Sequence, residues 1–556
     1  MASTSRPRFR AAVALGAGLV TTLVAACSPV GTSGGGSSAT GGGNAPGAAL
    51  DVSYGTPATA DQVKQGGTLV MALSSEPDAL DPTTSRSLYS RYVFNAMCEK
   101  LYDVNQDTKV VPQLASALPN LSSDGKTVTI PLRSSIKFAD GTPFNAAAVK
   151  KTLERHLTMA GSGRKSELGP IASIDAKDDT TVVLHLNKPF SPLLGALTDR
   201  AGMILSPKAI DSLGDKFSQA PVCVGAFKFA KRVPQTEIDL VKDPNYYDAS
   251  KVFLDGIKYR IITDPSIRAA NLRSGDVQVA DSISVNDVQS LKGTQGMTVL
   301  SSPSLGYQGL TFNVGNVDGV GTPAKPRNTP WSKDARVREA LQYAIDRKAL
   351  VQTVFNGFYH AACSPISPSS EFASDASNAC PEYSVDKAKQ LLKEAGVTTP
   401  LEIPILASNN SDTLRLVQAI QAMVAQAGIN LKIEATEYSS LLDQQDAGKF
   451  ELLQLGWSGR IDPDANITVF LKTGGGLNVS GYNNPKLDDL LDQARTTNDV
   501  AERRKLYGEA VGVIQKDSPI VYLYRQSNIS AFSQAAKGVQ VFPDGVVRLT
   551  HAGLSK

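Results

Sequence analysis

The side chains best suited to redox, metal or nucleophilic chemistry in this 556-residue chain are five cysteines and four histidines. Their spacing supports none of it. Cys27, Cys98, Cys223, Cys363 and Cys380 form no CxxC pair, and His156, His185, His360 and His551 are scattered. Outside the Gly/Ser-rich N-terminal stretch there is no GxSxG elbow, and there is no HExxH helix or Walker loop; the carboxylates are plentiful but unpatterned. These residues argue against an enzyme, and no metal or cofactor is expected. What remains is recognition chemistry. In GWSGRIDPDANI, Trp457 is one of two tryptophans and is followed by Ser458, Gly459, Arg460 and Asp462. Small residues there let a solute approach the backbone while the indole stacks on it. A second segment, PTTSRSLYSRY, sets Thr84, Ser85 and Arg86 in a hydroxyl-rich stretch without apolar periodicity, as a ligand-facing loop has.

The N-terminus says where such recognition takes place. Residues 1–26 read as a signal peptide: Arg6, Arg8 and Arg10 precede an apolar run from Ala11 to Ala26, with no acid. That run is short for a membrane span, and no later stretch approaches about 18 uninterrupted apolar residues. LVAAC, Leu23 to Cys27, resembles the lipobox of bacterial lipoproteins, which implies that the Cys27 thiol takes a diacylglycerol. The arginines are not adjacent, which favours the general secretory route over twin-arginine export. Residues 27–65 are then the lipidated cysteine and a Gly/Ser/Ala-rich tether. A coil of about 35 such residues spans roughly 30–35 Å, enough to hold a body off a membrane. Two acyl chains give the stable attachment that one does not.

Outside the cytoplasm the four remaining cysteines suggest two disulfides, with three pairings formally possible. Cys363 and Cys380 bracket a Ser/Pro/Ala-rich loop, and closing one of that size contributes about 3 kcal/mol. The expected pairs are therefore Cys363–Cys380 and Cys98–Cys223. Without the signal peptide, 53 basic side chains face 53 acidic ones. That balance gives no reason to expect nucleic acid or an anionic membrane surface as a partner.

The elements that must position these residues alternate between short β-rich runs and amphipathic helices, an α/β pattern. GGTLVMALSSE and TTVVLHLNKPF read as strands, and TVTIPLRSSIKF as a strand pair bent at Pro131. A helix is expected from about Asn145, and another over ARVREALQYAIDRKALVQTVF, where Asp346 and Arg347 suggest a helix-end ion pair. The helix beginning in TLRLVQAI should stop near Gly428.

The order of these blocks resembles the peptide/nickel (family 5) solute-binding proteins of ABC importers. The resemblance covers residues 66–550. It rests on GGTLVMALSSEPDALDP, IKFADGTPFNAAAVKKTLER, APVCVGAFKFAKR, ITDPSIRAANLRSGDVQVA, DARVREALQYAIDRKALV, GWSGRIDPDANI and SGYNNPKLDDLLDQA, in that order. It implies a bilobal, periplasmic-binding-protein-like α/β fold of type II with mixed sheets, an extra inserted domain and a hinge. Domain I would comprise 66–105, 218–306 and 519–556, domain II 106–217 and domain III 307–518. The solute would lie between domains I and III, enclosed when the hinge closes.

By that resemblance the chain captures a peptide or peptide-like solute and hands it to the transmembrane permease of an importer with a cytoplasmic ATPase. It would act as a monomer, lipid-anchored on the extracytoplasmic face of the cell membrane. Arg415 resembles the family's carboxylate-binding position. One departure stands out: relatives that bind ordinary peptides often have an aspartate where this chain has Arg460. A guanidinium prefers carboxylate or phosphate to an ammonium. The alternatives are an oligosaccharide, a modified or carboxylate-rich compound, a nickel or haem carrier, a sensor lipoprotein and a secreted hydrolase.

Overall fold

The computed structural model describes residues 50–556. Cys27, the signal peptide and the tether up to residue 49 lie outside the described residues.

Three sheets organise the chain. The first has seven strands in the order Met297–Pro303, Ser527–Ser533, Val279–Ala280, Thr68–Leu73, Gly256–Ile261, Glu237–Lys242 and Phe227–Val233. Thr68–Leu73 runs parallel to both its neighbours, and Met71, Ala72 and Leu73 are all buried, as a strand covered on two faces must be. The second sheet orders His360–Ala361, Ile520–Arg525, Tyr307–Phe312, Leu452–Trp457, Leu401–Ser408 and Ile429–Thr436. The third is antiparallel and contains Asn120–Leu121, Thr127–Pro131, Thr181–Leu186 and Ile171–Asp178. It lies in sequence between strands of the first sheet, so it is an inserted module.

Local chemistry explains many of the boundaries. Asn145 caps the helix Ala146–Thr158 by accepting from the Ala148 amide, a contact typically contributing about 1 kcal/mol. In Thr181–Leu186 the alternate residues Val182, Leu184 and Leu186 are buried in the inserted module's own core. Gly428, at φ +86°, lies between the helix Ser411–Ala425 and the strand Ile429–Thr436. Cys98 is bonded to Cys223 and Cys363 to Cys380. The first bond ties the chain entering the inserted module to the chain leaving it.

Four expectations need correction. The strand Ile520–Arg525, placed in domain I from sequence, pairs with Tyr307–Phe312 in the second sheet, and all six of its residues are buried. The return crossing therefore falls at Gln526, several residues beyond 519. Residues 53–64 are not tether. Ser53 exchanges backbone hydrogen bonds with Ser301, Lys64 donates to the Leu554 carbonyl, and Val63 is buried. Pro131 ends a strand instead of bending a pair. Asp346 and Arg347 make no ion pair: Asp346 caps the helix Arg347–Phe355, and the Arg347 guanidinium donates to the carbonyls of Tyr522 and Gln342.

No helix among the described residues is long and apolar enough to cross a membrane.

Candidate functional site

A cavity of about 290 Å³ lies between the first and second sheets, at the carboxyl ends of their parallel strands, where open α/β sheets bind ligands. From the first sheet it takes Ser74 and Ser75, just past Thr68–Leu73, and Tyr89 and Tyr92 on the helix Leu88–Met97. From the second it takes Trp457 at the end of its strand and Arg415, one turn into the helix Ser411–Ala425. The return crossing supplies Tyr524 and Asn528. Tyr359 and Tyr524 stack at 5.5 Å with planes 11° apart, and Tyr89 meets Tyr438 edge-on at 5.4 Å.

Trp457 is held from several sides. Its Nε1 donates to Asn466 Oδ1 at 3.0 Å, and the same oxygen accepts from the Arg460 amide at 2.8 Å. Phe470 approaches edge-on at 4.9 Å, and the Arg460 guanidinium lies 4.2 Å from the ring centroid. Arg460 Nε contacts Asp199 Oδ2 at 2.6 Å, and Arg91 Nε donates to the other oxygen, Oδ1, at 2.9 Å. Burial lowers the Arg460 pKa to about 9, helped by repulsion from Arg91, so the group remains a cation at neutral pH. Burial also pushes Asp199 up, but Arg460, Arg91 and Arg200 outweigh it and hold the carboxyl well below its usual value.

Four of the residues singled out from sequence line the cavity: Arg86, Arg415, Trp457 and Ser458. Arg86 pairs with Asp446, at the end of the helix Tyr438–Asp446 across the cleft, and Arg415 Nη2 donates to Asp412 Oδ1 at 2.8 Å. The other five do not line it. Thr84 lies in a turn, its amide on the Asp81 carbonyl, and Ser85 is wholly buried with its carbonyl accepting from Arg164. Gly459 has φ +85°, and a Cβ there would sit 2.2 Å from the Leu305 carbonyl carbon, so its smallness serves backbone approach. Arg460 finds its carboxylate in Asp199 of the inserted module and so is not left open for a solute. Asp462 is held by both terminal nitrogens of Arg503, at 2.7 and 3.0 Å. The turn after Trp457 thus spends its charges on protein contacts.

Sequence reasoning passed over Tyr89 and Tyr92, although they lie in PTTSRSLYSRY. It also passed over Arg268, inside the block ITDPSIRAANLRSGDVQVA, and Asp412, immediately before TLRLVQAI. Tyr359, Tyr438 and Tyr524 carried no local signal; strand pairing and lobe docking bring them together. Among the residues lining the cavity are three guanidinium groups, Arg86, Arg268 and Arg415, against one carboxylate, Asp412. Aromatic rings, hydroxyls and the amides of Gln308, Asn410 and Asn528 complete a surface suited to holding a polar organic molecule. Among the described residues no group of three or more His, Cys, Asp or Glu side chains is placed to hold a metal ion.

Residues 109–478 match the family described as bacterial extracellular solute-binding proteins, family 5. The glutathione-binding protein GsiB of Escherichia coli O1:K1 is 31% identical over 489 residues, 86% of this chain and 92% of that protein. The periplasmic binding protein DppA of Helicobacter pylori, solved with the peptide STSA, superposes with a TM-score of 0.79 at 26% identity, over 89% of this chain and 99% of that one. The binding protein AgaA from A. tumefaciens R10, solved with agropinic acid, gives a TM-score of 0.78 at 29% identity, over 88% of this chain and 99% of that one. All three are named as binding proteins, DppA as one associated with an ABC transporter, and none is named as an enzyme. Two facing sheets with an inserted module, a walled cavity between them and similarity along most of the chain agree: the protein is a member of the bacterial extracellular solute-binding proteins, family 5.

Proposed function

We propose that this protein captures a peptide or peptide-like solute outside the cell and delivers it to the permease of an ABC importer. It works as a monomer held to the membrane by a diacylated Cys27. The observation that carries the solute class is the composition of the cavity wall, where Trp457 and the tyrosines offer apolar faces beside the Asn, Gln and Ser groups a peptide backbone needs. A volume of about 290 Å³ suits a solute of a few residues better than a long peptide. GsiB, named for glutathione, and DppA, solved with a tetrapeptide, support the same class.

A second reading, a carboxylate-rich compound, is favoured by the guanidinium groups of Arg86, Arg268 and Arg415 on the cavity wall, of which Arg86 is paired with Asp446 and Arg415 with Asp412. AgaA, solved with agropinic acid, lends it support.

Native mass spectrometry of the protein from its own host, followed by calorimetric titration of whatever co-purifies, decides between them. At a hundredfold excess over Kd the cognate solute stabilises the fold by about 2.7 kcal/mol. Absence of binding by every peptide and every carboxylate solute overturns both readings. Detergent partitioning of the wild type against Cys27→Ala tests the anchor: if both stay in the aqueous phase, the protein is not lipidated.

A further inference from the structure

The inserted module meets the second-sheet side along residues 190–199 and through its short helix Lys165–Leu168, where Ser166 Oγ would sit 2.9 Å from a Cβ on Gly476. The Ser191 amide donates to the Arg495 carbonyl at 2.9 Å, and Ser191 Oγ to the Thr497 carbonyl at 2.6 Å. The Arg495 guanidinium lies 5.3 Å from the Phe190 ring centroid. A Cβ on Gly195 would sit 3.0 Å from the Asp462 Cβ, so the backbone there runs close against the turn that follows Trp457. The stretch ends at Asp199, which is 4% exposed and does not line the cavity.

Asp199 occupies a three-way junction. One carboxylate oxygen takes Arg91 from the helix of the first sheet, and the other takes Arg460 from the second. Arg91 and Arg460 each also reach Ser458 Oγ, which lines the cavity, at 3.3 and 3.2 Å. Arg460 in turn lies against Trp457, which lines the cavity beside it. A carboxylate from a module with no strand in either facing sheet thus contacts both cations behind the cavity wall. Arg91 has a second anchor in Asp544, at 3.5 Å from its carboxylate and 2.9 Å from its carbonyl, whereas Asp199 is the one carboxylate in salt-bridge contact with Arg460 among the described residues.

We propose that Asp199 is a positioning residue for the captured solute: it holds Arg460 against Trp457 and so couples docking of the inserted module to the orientation of the aromatic wall. The proposal rests on the reading that the cavity is the capture site. Its physical basis is that a buried guanidinium needs a counter-charge. Without Asp199, Arg460 is repelled by Arg91 and must either reach for water or take up a different partner. Either movement removes the cation from the Trp457 ring and lets water reach the indole. The coupling runs both ways: a solute that fixes Trp457 favours the docked module, and a docked module pre-orients the ring for the solute.

The test is spectroscopic and needs no solute. In a Trp331→Phe background Trp457 is the remaining tryptophan, and its emission and acrylamide quenching are compared for Asp199, Asp199→Asn, Asp199→Glu and Ser191→Ala. Should that background fail to fold, the Trp457 signal is taken as the difference between each protein and its Trp457→Phe counterpart. Asp199→Asn keeps the shape and loses the charge; a red shift and a rise of about twofold or more in quenching are expected as the ring gains water. Asp199→Glu restores much of the wild-type signal. Ser191→Ala loosens the same interface but leaves the charge in place, so its Trp457 signal stays that of the wild type. Unchanged emission and quenching in Asp199→Asn, or an equal change in Ser191→Ala, overturns the proposal. Reduced glutathione and a mixture of di- and tripeptides are titrated into the wild type in parallel. Failure of all of them to bind counts against peptide capture, and the emission series still decides the role of Asp199.

Discussion

Arg86 and Asp446 form an ion pair across the cleft, the first from the loop ahead of the helix Leu88–Met97 and the second from the last turn of the helix Tyr438–Asp446. Their side chains are 20% and 31% exposed, so water and salt reach the pair, and its contribution is expected to stay below about 1 kcal/mol. Asp446→Asn should increase the radius of gyration of the solute-free protein at low ionic strength. At about 1 M salt, where the screening length falls to about 3 Å, the variant and the wild type should coincide. Identical scattering profiles at low salt would show that the pair does not hold the lobes.

Glu99 gives the fold a pH dependence. Its carboxylate accepts from the Tyr246 hydroxyl at 2.6 Å and from Tyr247 at 3.0 Å, beside the Cys98–Cys223 bond. Burial raises its pKa from 4.5 to about 7, against the lowering effect of both tyrosines. Between those values the folded protein keeps a proton that the unfolded chain has lost. Stability therefore falls as pH rises through that window, by up to about 3 kcal/mol. Urea titrations at about pH 5 and about pH 8 should show this loss, and Glu99→Gln should remove it. An equal slope in the variant would place the effect elsewhere.

Gly459 marks where the backbones of the cleft wall and the crossing touch. At φ +85°, with a Cβ 2.2 Å from the Leu305 carbonyl carbon and 2.3 Å from the Gly306 nitrogen, alanine cannot be accommodated by moving a side chain. Gly459→Ala should cost about 2 kcal/mol or more and weaken solute binding, because the chain that carries Trp457 must shift. A melting temperature and an affinity equal to those of the wild type would contradict this contact.

The Cys363–Cys380 bond closes a separation of 17 residues on the second-sheet side. Replacing both cysteines by serine should cost about 3 kcal/mol and lower the melting temperature by several degrees. Calorimetry reads it directly, and solute affinity should change little because neither residue lines the cavity.

The α/β alternation, the capped helices and the segments that place Arg86, Trp457 and Ser458 on the cavity wall could be read from the chain because they rest on local signals, whereas Arg415 was singled out by the family resemblance. Periodicity, capping residues and an isolated tryptophan are properties of neighbours in sequence. The strand IVYLYR shows the limit of such signals. Its residues are apolar enough for either sheet, and pairing with Tyr307–Phe312 decides the question. Arg460 shows it more sharply. The residue type announces a need for an anion, but the sequence cannot say whether a solute or the protein supplies one. Asp199, 261 positions away, answers it through a contact that exists once the inserted module has docked. The tyrosines of the cavity obey the same rule: each looks like ordinary core until strand order and lobe packing turn Tyr359, Tyr438 and Tyr524 toward one space. Local residue patterns set which segments fold and which residue types seek partners. Long-range pairing alone decided which partner each one found, because burial and charge are satisfied across sheets and not along the chain.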